Sequence, residues 1–80
     1  MAKVKVHVFL KPGVLDVQGK AVEGALHTLG FADVEGVRVG KTIEMELKAA
    51  DRAAAEDEAR KMAEQLLANT VIESYRVEIA

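Results

Sequence analysis

Apolar and polar residues alternate over the first ten positions of the chain. Residues 3–10 read KVKVHVFL, in which nearly every second side chain is apolar. Successive side chains of a β-strand point to opposite faces of the sheet, so this alternation predicts a strand with one buried face. That face is predicted to carry Val4, Val6, Val8 and Leu10, while the aromatic Phe9 lies on the polar face.

A second alternating stretch, residues 37–47, predicts a β-hairpin interrupted by Gly40. A two-residue loop would mix apolar and polar residues on each face. A three-residue loop over residues 40–42 keeps one face apolar, because it places Val39 opposite Ile43 and Val37 opposite Met45. The alternation changes phase at Gly36, which suggests a β-bulge there. Residues 74–79 alternate again and predict the last strand.

Two stretches with helical periodicity separate these strands. The first helix is predicted over residues 17–29, with Asp16 as its N-cap and Gly30 as its stop. The second is capped by Asp51 and ends near Asn69. Apolar residues three and four apart predict the buried side of each helix. These residues are Val22, Ala25, Leu26 and Leu29 in the first helix, and Ala55, Ala59, Met62 and Leu66 in the second.

The predicted order of elements is β-α-β-β-α-β, which is the ferredoxin-like pattern. It predicts one α+β domain over residues 1–80, a two-layer sandwich of a four-stranded antiparallel sheet with both helices on one face. The other face of the sheet is then open to solvent. Its predicted residues are mostly charged: Lys3, Lys5, His7, Phe9, Arg38, Glu44, Glu46, Arg76 and Glu78.

Composition narrows the range of functions. The net charge is −2, charges of both signs are spread along the chain, and there are three aromatic residues, so the basic, aromatic footprint of a nucleic-acid-binding protein is missing. No apolar run approaches the length of a membrane span. The chain has no cysteine, hence no thiolate nucleophile and no cysteine-based zinc site. We therefore expect a cytoplasmic protein that binds neither nucleic acid nor membrane.

Residues with catalytic potential are present but isolated. His7 and His27 lack a neighbouring nucleophile and base in the sequence pattern, and surface or interface roles are expected for both. The letters Gly40-Lys41-Thr42 resemble the end of a phosphate-binding loop, but they lie between predicted strands and no helix N-terminus follows. We expect no catalytic, cofactor or metal site in this chain.

The turn after the first strand carries apolar residues, Val14 and Leu15, where polar ones are usual. One interpretation is a docking surface for another protein, since exposed apolar groups often mark such sites. The other is that both side chains pack beneath the first helix as a hydrophobic staple.

Three segments together resemble the PurS family, the small subunit of phosphoribosylformylglycinamidine synthase. They read LKPGVLDVQGKAVEGALHTLGF, VRVGKTIEMEL and EQLLANTVIESYRVEI, and they occur in the family's order over essentially the whole chain. One departure is Val17, where the family often has a proline after the aspartate. Proline suits the first helical position, so the change weakens the start of the helix.

The resemblance implies a non-catalytic homodimer, compatible with a tetramer, that bridges two larger proteins in de novo purine biosynthesis. A PurL-like synthetase subunit would bind ATP, Mg²⁺ and formylglycinamide ribonucleotide, and a PurQ-like glutaminase subunit would release ammonia from glutamine. The chain itself would hold no cofactor. The expected partner interface is Lys11, Pro12, Gly13, Val14, Leu15, Asp16, Gln18, Gly19, Asn69 and Tyr75. The alternative function is a ferredoxin-like dimeric module that binds a regulatory small molecule.

Overall fold

The computed structural model describes residues 1–80 and contains three strands, two α-helices and one π-helical turn. The strands are β1 (Ala2–Leu10), β2 (Lys41–Leu47) and β3 (Glu73–Ile79). The helices are α1 (Val17–Thr28) and α2 (Arg52–Met62), and α2 continues into the π-helical turn Ala63–Leu67. None of the helices is both long enough and apolar enough to cross a lipid bilayer.

The sheet is antiparallel, with strand order β2-β1-β3. Its central strand confirms the predicted alternation, because Val4, Val6 and Val8 are fully buried beneath α2. The α2 side of this contact is made of alanines at positions 55, 59 and 63. Small side chains allow the helix to lie close to the sheet, and the core is therefore thin and built from valine and alanine.

Both helix starts are confirmed. The Asp16 side chain accepts a hydrogen bond from the N–H of Gly19, and the Asp51 side chain accepts one from Ala54. Gly30 follows α1 with a φ of +102°, as expected of a glycine that ends a helix. The i,i+4 pair of Glu56 and Arg60 on α2 is also present, at 2.7 Å.

The predicted hairpin, and with it the fourth strand, is wrong. β2 begins at Lys41, which pairs with Val8, and Thr42 pairs with His7, so residues 40–42 do not form a loop. Residues 37–40 run directly into β2 and pair with no strand. Gly36 has a φ of +68° in the connecting loop and is not a bulge within a sheet. The α+β class is confirmed, but the sheet has three strands.

The predicted burial of α1 against the sheet is also wrong in the isolated chain. α1 packs extensively against neither the sheet nor α2. Leu29, which was predicted to be buried, is 73% exposed, and Val22 and Ala25 are exposed as well. The radius of gyration is 15.8 Å, whereas about 12 Å is expected for a compact domain of this length. Together with residues 31–40, the helix forms an arm that projects from a compact body.

The π-helical turn explains one further difference at the end of α2. An extra residue per turn rotates the following side chains around the axis. Ala63 and Ala68 consequently face the core and are buried, while Leu66, which was predicted to be buried, is 83% exposed. The N–H of Ala68 donates to the carbonyl of Ala63 across this turn.

Candidate docking surface

Asp16 joins the start of α1 to the segment that precedes β2. One carboxylate oxygen accepts the N–H of Gly19, and the other accepts the N–H of Val39, each at 2.8 Å. These two backbone donors, Gly19 first, hold the pKa of the Asp16 carboxyl below its ordinary value. The aspartate predicted as a helix cap therefore also fixes residues 37–39 beside the helix.

Glu23 makes the second connection of the same kind. Its carboxylate accepts the N–H of Val37 at 3.2 Å, and this bond is the main reason that the pKa of Glu23 is lowered. Between the two carboxylates the backbones approach closely. A Cβ added at Gly19 would lie 2.5 Å from the carbonyl oxygen of Val37. Gly19 is thus needed for a close contact within the chain, where the sequence suggested a contact with another protein.

His27 fastens the far end of the arm. Its Nε2 lies 2.6 Å from the carbonyl oxygen of Val34, so this ring nitrogen carries a hydrogen and donates a hydrogen bond to that oxygen. One side of α1 is therefore occupied by the chain's own residues 34–39. Gly19, Glu23 and His27 recur every four residues along one face of the helix, and this spacing was the available signal that sequence reasoning missed.

The turn after β1 is attached to the turn before β3. The main-chain N–H of Lys11 donates to the carbonyl of Ile72 at 2.8 Å, and its side-chain ammonium donates to the carbonyl of Thr70 at 2.7 Å. Gly13 has a φ of +92°, which a glycine adopts without strain. Two segments predicted separately as interfaces, around residues 11–15 and around Asn69, therefore lie side by side at one end of the molecule.

Asn69 organises its own turn. Its side-chain oxygen accepts the N–H of Val71, and its main-chain N–H donates to the carboxylate of Glu73. The apolar side chains on the two turns remain uncovered: Leu15 is 69% exposed and Val71 is 81% exposed. The staple interpretation is therefore wrong for Leu15. We call this surface, formed by residues 11–15 and 69–72, the end surface.

A groove of about 410 Å³ adjoins the end surface. Leu15, Asp16 and Gln18 contribute one wall, and Glu73 contributes another. Tyr75, also predicted as an interface residue, points elsewhere. Its hydroxyl donates to Glu64 on the π-helical turn at 2.7 Å, and this bond is the main cause of its raised pKa.

On the open face of the sheet, three hydrogen-bonded polar side chains link all three strands. The ring of His7 bonds to Thr42 on β2 at 3.0 Å and to Glu78 on β3 at 2.9 Å. Because the carboxylate only accepts, the Nε2 nitrogen donates to it, and the hydrogen bond from His7 lowers the pKa of Glu78. The contact between His7 and Thr42 depends on the register of β1 and β2, which the sequence does not give. These two hydrogen bonds connect the three strands side by side on the open face of the sheet.

Arg38 and Gly40 fix the path from the arm into β2. The Arg38 guanidinium donates to the carbonyl of Leu10 and lies 5.4 Å from the centre of the Phe9 ring. A Cβ added at Gly40 would lie 2.5 Å from the carbonyl oxygen of Val8 and 2.6 Å from that ring. The open-face position predicted for Arg38 is wrong, because residue 38 is not in the sheet. No group of three or more metal-ligating side chains is present.

Comparison with known proteins identifies related chains. The PurS family profile, described as phosphoribosylformylglycinamidine (FGAM) synthase, matches residues 3–80. The PurS subunit of this synthase from Bacillus subtilis is 49% identical over 99% of this chain and 93% of its own length. The PurS subunit from Synechocystis is 49% identical over 94% of this chain and 75% of its own length.

Solved structures of PurS proteins also superimpose on this fold. A Bacillus subtilis PurS structure with 49% identity superimposes with a TM-score of 0.87 and covers 100% of this chain and 99% of its own. Methanocaldococcus jannaschii PurS, a subunit of formylglycinamide ribonucleotide amidotransferase, reaches 0.91 at 34% identity, covering 100% and 96%. A chain of the PurLQS structure from Thermotoga maritima reaches 0.90 at 30% identity, covering 99% and 96%.

Proposed function

Since this chain belongs to the PurS family, we propose that it is the small subunit of FGAM synthase and that it bridges the two larger subunits as a homodimer. The synthase acts in purine biosynthesis. It consists of this chain, a PurL-like synthetase subunit and a PurQ-like glutaminase subunit. The observation that carries this proposal is the 49% identity, over nearly the full length of both chains, with the Bacillus subtilis PurS subunit. The likeness to a chain of a PurLQS structure supports the choice of partners.

The reaction would take place on the partners. The PurQ-like subunit releases ammonia from glutamine, and the PurL-like subunit, with ATP and Mg²⁺, transfers it to formylglycinamide ribonucleotide. The products are the amidine, glutamate, ADP and phosphate. Free ammonia is protonated and diffuses away, so holding the two sites together raises its effective concentration at the synthetase. Bridging is therefore the contribution that we assign to this chain, and a cytoplasmic location is part of the proposal.

The end surface is the place where we propose that a larger subunit docks. Its two turns are joined by both hydrogen bonds of Lys11, so the apolar side chains of Leu15 and Val71 are presented on a fixed backbone. Fixed apolar groups lose little conformational entropy on binding, which favours association. The groove lined by Gln18 and Glu73 adds polar groups beside this apolar patch.

Reconstitution tests the proposal. Purified PurL-like and PurQ-like subunits are supplied with glutamine, ATP and formylglycinamide ribonucleotide, and amidine formation is followed with and without this chain. Ammonia then replaces glutamine. We expect the glutamine-dependent rate to require the chain and the ammonia-dependent rate to depend on it much less. If neither rate responds to the chain, the proposed function is wrong.

A substitution locates the docking site. Leu15→Asp places a charge on the end surface at an exposed position, so the fold is expected to survive while the glutamine-dependent rate falls. Leu15→Met, which keeps the site apolar, is the matched control and should retain the rate. Full activity of the Leu15→Asp complex would remove the end surface from the proposal without affecting the subunit assignment.

A further inference from the structure

β3 forms one edge of the sheet, and α2 lies along that edge. The strand order β2-β1-β3 leaves the outer side of β3 without a partner strand, and α2 packs on both β1 and β3. The side chains of Tyr75, Val77 and Ile79, which pack against the core, are only partly buried. We propose that two copies of this chain meet here across a two-fold axis at Val77, with β3 paired to β3 and α2 packed beside α2.

The backbone of β3 determines which residues can form hydrogen bonds outward. Ile72 and Ala80, which flank the strand, hydrogen-bond to the neighbouring chain at residues 11 and 3. Residues of an antiparallel pair alternate in this respect, so the even-numbered residues of β3 bond to β1. The N–H and C=O groups of Tyr75, Val77 and Ile79 therefore point to the free edge. A second β3 must place its odd-numbered residues opposite these.

The charges on β3 select one register among those that remain. Arg76 and Glu78 lie on the open face of the sheet, on either side of Val77. With the axis at Val77, Arg76 of each copy lies opposite Glu78 of the other, in the non-hydrogen-bonded type of pair that brings side chains closest. Glu78 bonds to His7 through Oε1, which leaves Oε2 for this contact. An axis at Arg76 would place two arginines opposite each other and one at Glu78 two glutamates, so the axis at Val77 is favoured.

The side of α2 next to β3 carries a second self-complementary row of charges. Its residues alternate in sign at intervals of four positions: Arg52, Glu56, Arg60 and Glu64. Arg52 donates to the carbonyl of Ile79 at 3.3 Å, and Glu64 accepts the hydroxyl of Tyr75 at 2.7 Å, so both ends of the row lie beside β3. The middle of the row, residue 58, therefore lies beside Val77. The same two-fold axis then places Arg52 opposite Glu64, and Glu56 opposite Arg60, of the other copy.

The spacing of the elements suits this contact. Neighbouring strands lie ~4.8 Å apart, and α2 lies over β1 and β3, so in projection its axis is about half a strand spacing inside β3. The two-fold axis lies half a spacing outside β3, which puts the two α2 helices ~10 Å apart. Packed helices have interaxial distances of about 8–10 Å. The sheet and the helices can therefore pair at the same time, and each contact occurs twice, as in any isologous interface.

This contact goes beyond the homodimer of the proposed function, because it specifies a surface, a register and the charges that join two copies. The paired residues begin at Tyr75, so the end surface lies outside the contact and stays free for a larger subunit. α1 and residues 31–40 take no part in it either.

Charge reversal tests the register. Arg76→Glu makes both cross-strand pairs repulsive, and light scattering should show the mass of the assembly fall to half. The double variant Arg76→Glu, Glu78→Arg exchanges the two charges and makes both pairs attractive again, so the mass should return. Lys3→Glu, the same change of charge on the open face of β1, is the control and should leave the mass unchanged. An unchanged mass for Arg76→Glu, or a double variant that stays at half the mass, would overturn the contact.

A disulfide at the axis provides an independent measurement, since the natural chain has no cysteine. Residue 77 meets its own copy there at a Cα–Cα distance of ~5.5 Å, which a disulfide can span. We expect Val77→Cys, treated with oxidised glutathione, to move from 8.6 kDa to twice that mass on a non-reducing gel. The control Val71→Cys is at an 81% exposed position, where chance collisions are more frequent, but it lies outside the contact and should not shift.

A Val77→Cys chain that stays at 8.6 kDa, or that shifts no more than Val71→Cys, would overturn the pairing of β3 with β3. Both experiments use the chain alone, so such a failure is distinct from a failure of the synthase assay.

Discussion

Two glycines in α1 provide a test of how the arm is held. Gly19→Ala and Gly24→Ala make the same change in the same helix. Each gains about 1 kcal/mol of helix propensity, because alanine loses less backbone entropy than glycine. The surroundings differ. A Cβ at position 24 meets nothing within 4 Å, whereas one at position 19 would lie 2.5 Å from the carbonyl oxygen of Val37.

The size of the difference follows from that distance. Real Cβ contacts are essentially never shorter than 3.0 Å, so the backbone at Val37 must move by at least several tenths of an ångström. The Val37 oxygen belongs to the backbone, and the Asp16 carboxylate, whose Oδ2 would lie 2.7 Å from the added Cβ, is itself held by its hydrogen bonds to Gly19 and Val39. Overpacking of this kind costs roughly 1–3 kcal/mol. The propensity gain is common to both variants, and the difference between them therefore measures the steric cost alone.

Thermal and urea unfolding at one fixed protein concentration measure this difference. We expect Gly24→Ala to unfold at a higher temperature than the natural chain. Gly19→Ala should unfold below Gly24→Ala by roughly 5–20 °C, given about 4–8 °C per kcal/mol for a domain of this size. Equal upward shifts for both variants would refute the close contact between α1 and residues 37–39.

Three further predictions concern the body and the carboxylates of the arm. Backbone N–H groups lower the pKa values of Asp16 and Glu23, so both carboxylates stabilise the fold above their unfolded pKa values, and this stability is lost as the pH falls through their folded pKa values. The midpoint of urea unfolding should therefore decrease from neutral to acid pH. The decrease should be smaller in the double variant Asp16→Asn, Glu23→Gln. Val6→Ala should cost about 2–3 kcal/mol because the side chain is fully buried, while Val71→Ala at an exposed position should cost less than about 0.5 kcal/mol, both by urea unfolding. Tyr75 is the single tyrosine, and an absorbance titration should show its phenol ionising above the ordinary tyrosine pKa in the folded chain but not in urea.

The local elements of this fold could be predicted because their causes are local. Alternation along β1 and the capping aspartates of both helices depend on residues a few positions apart, and the structure confirms them. Local reasoning failed at Leu66, which was predicted to be buried and is exposed. The sequence pattern assumes 3.6 residues per turn, and the π-helical turn at Ala63–Leu67 departs from that period.

The arm shows a different limit. The pattern on α1 predicted a buried apolar stripe at Val22 and Leu29, and the pattern around Val37 and Val39 predicted a strand, but the structure leaves both side chains of the stripe exposed and residues 37–40 outside the sheet. Neither pattern states which residues the stripe or the segment contacts. The bond from Asp16 to Val39 was equally hidden, since it joins residues far apart in sequence. Of the candidate site, the closeness of Lys11 to Thr70 also required the register of β1 and β3.

The pairing of β1 with β3 joins the two ends of the chain, with Val4 opposite Ile79. During synthesis, the body therefore cannot close until the last strand has left the ribosome. The hydrogen bonds between α1 and residues 34–39 span 7 to 23 residues, far fewer than the pairs of β1 with β3, and contacts of shorter separation form earlier. The arm is thus expected to be organised before the sheet is complete, and a nascent chain stalled before residue 73 would present a formed arm beside an unfinished sheet.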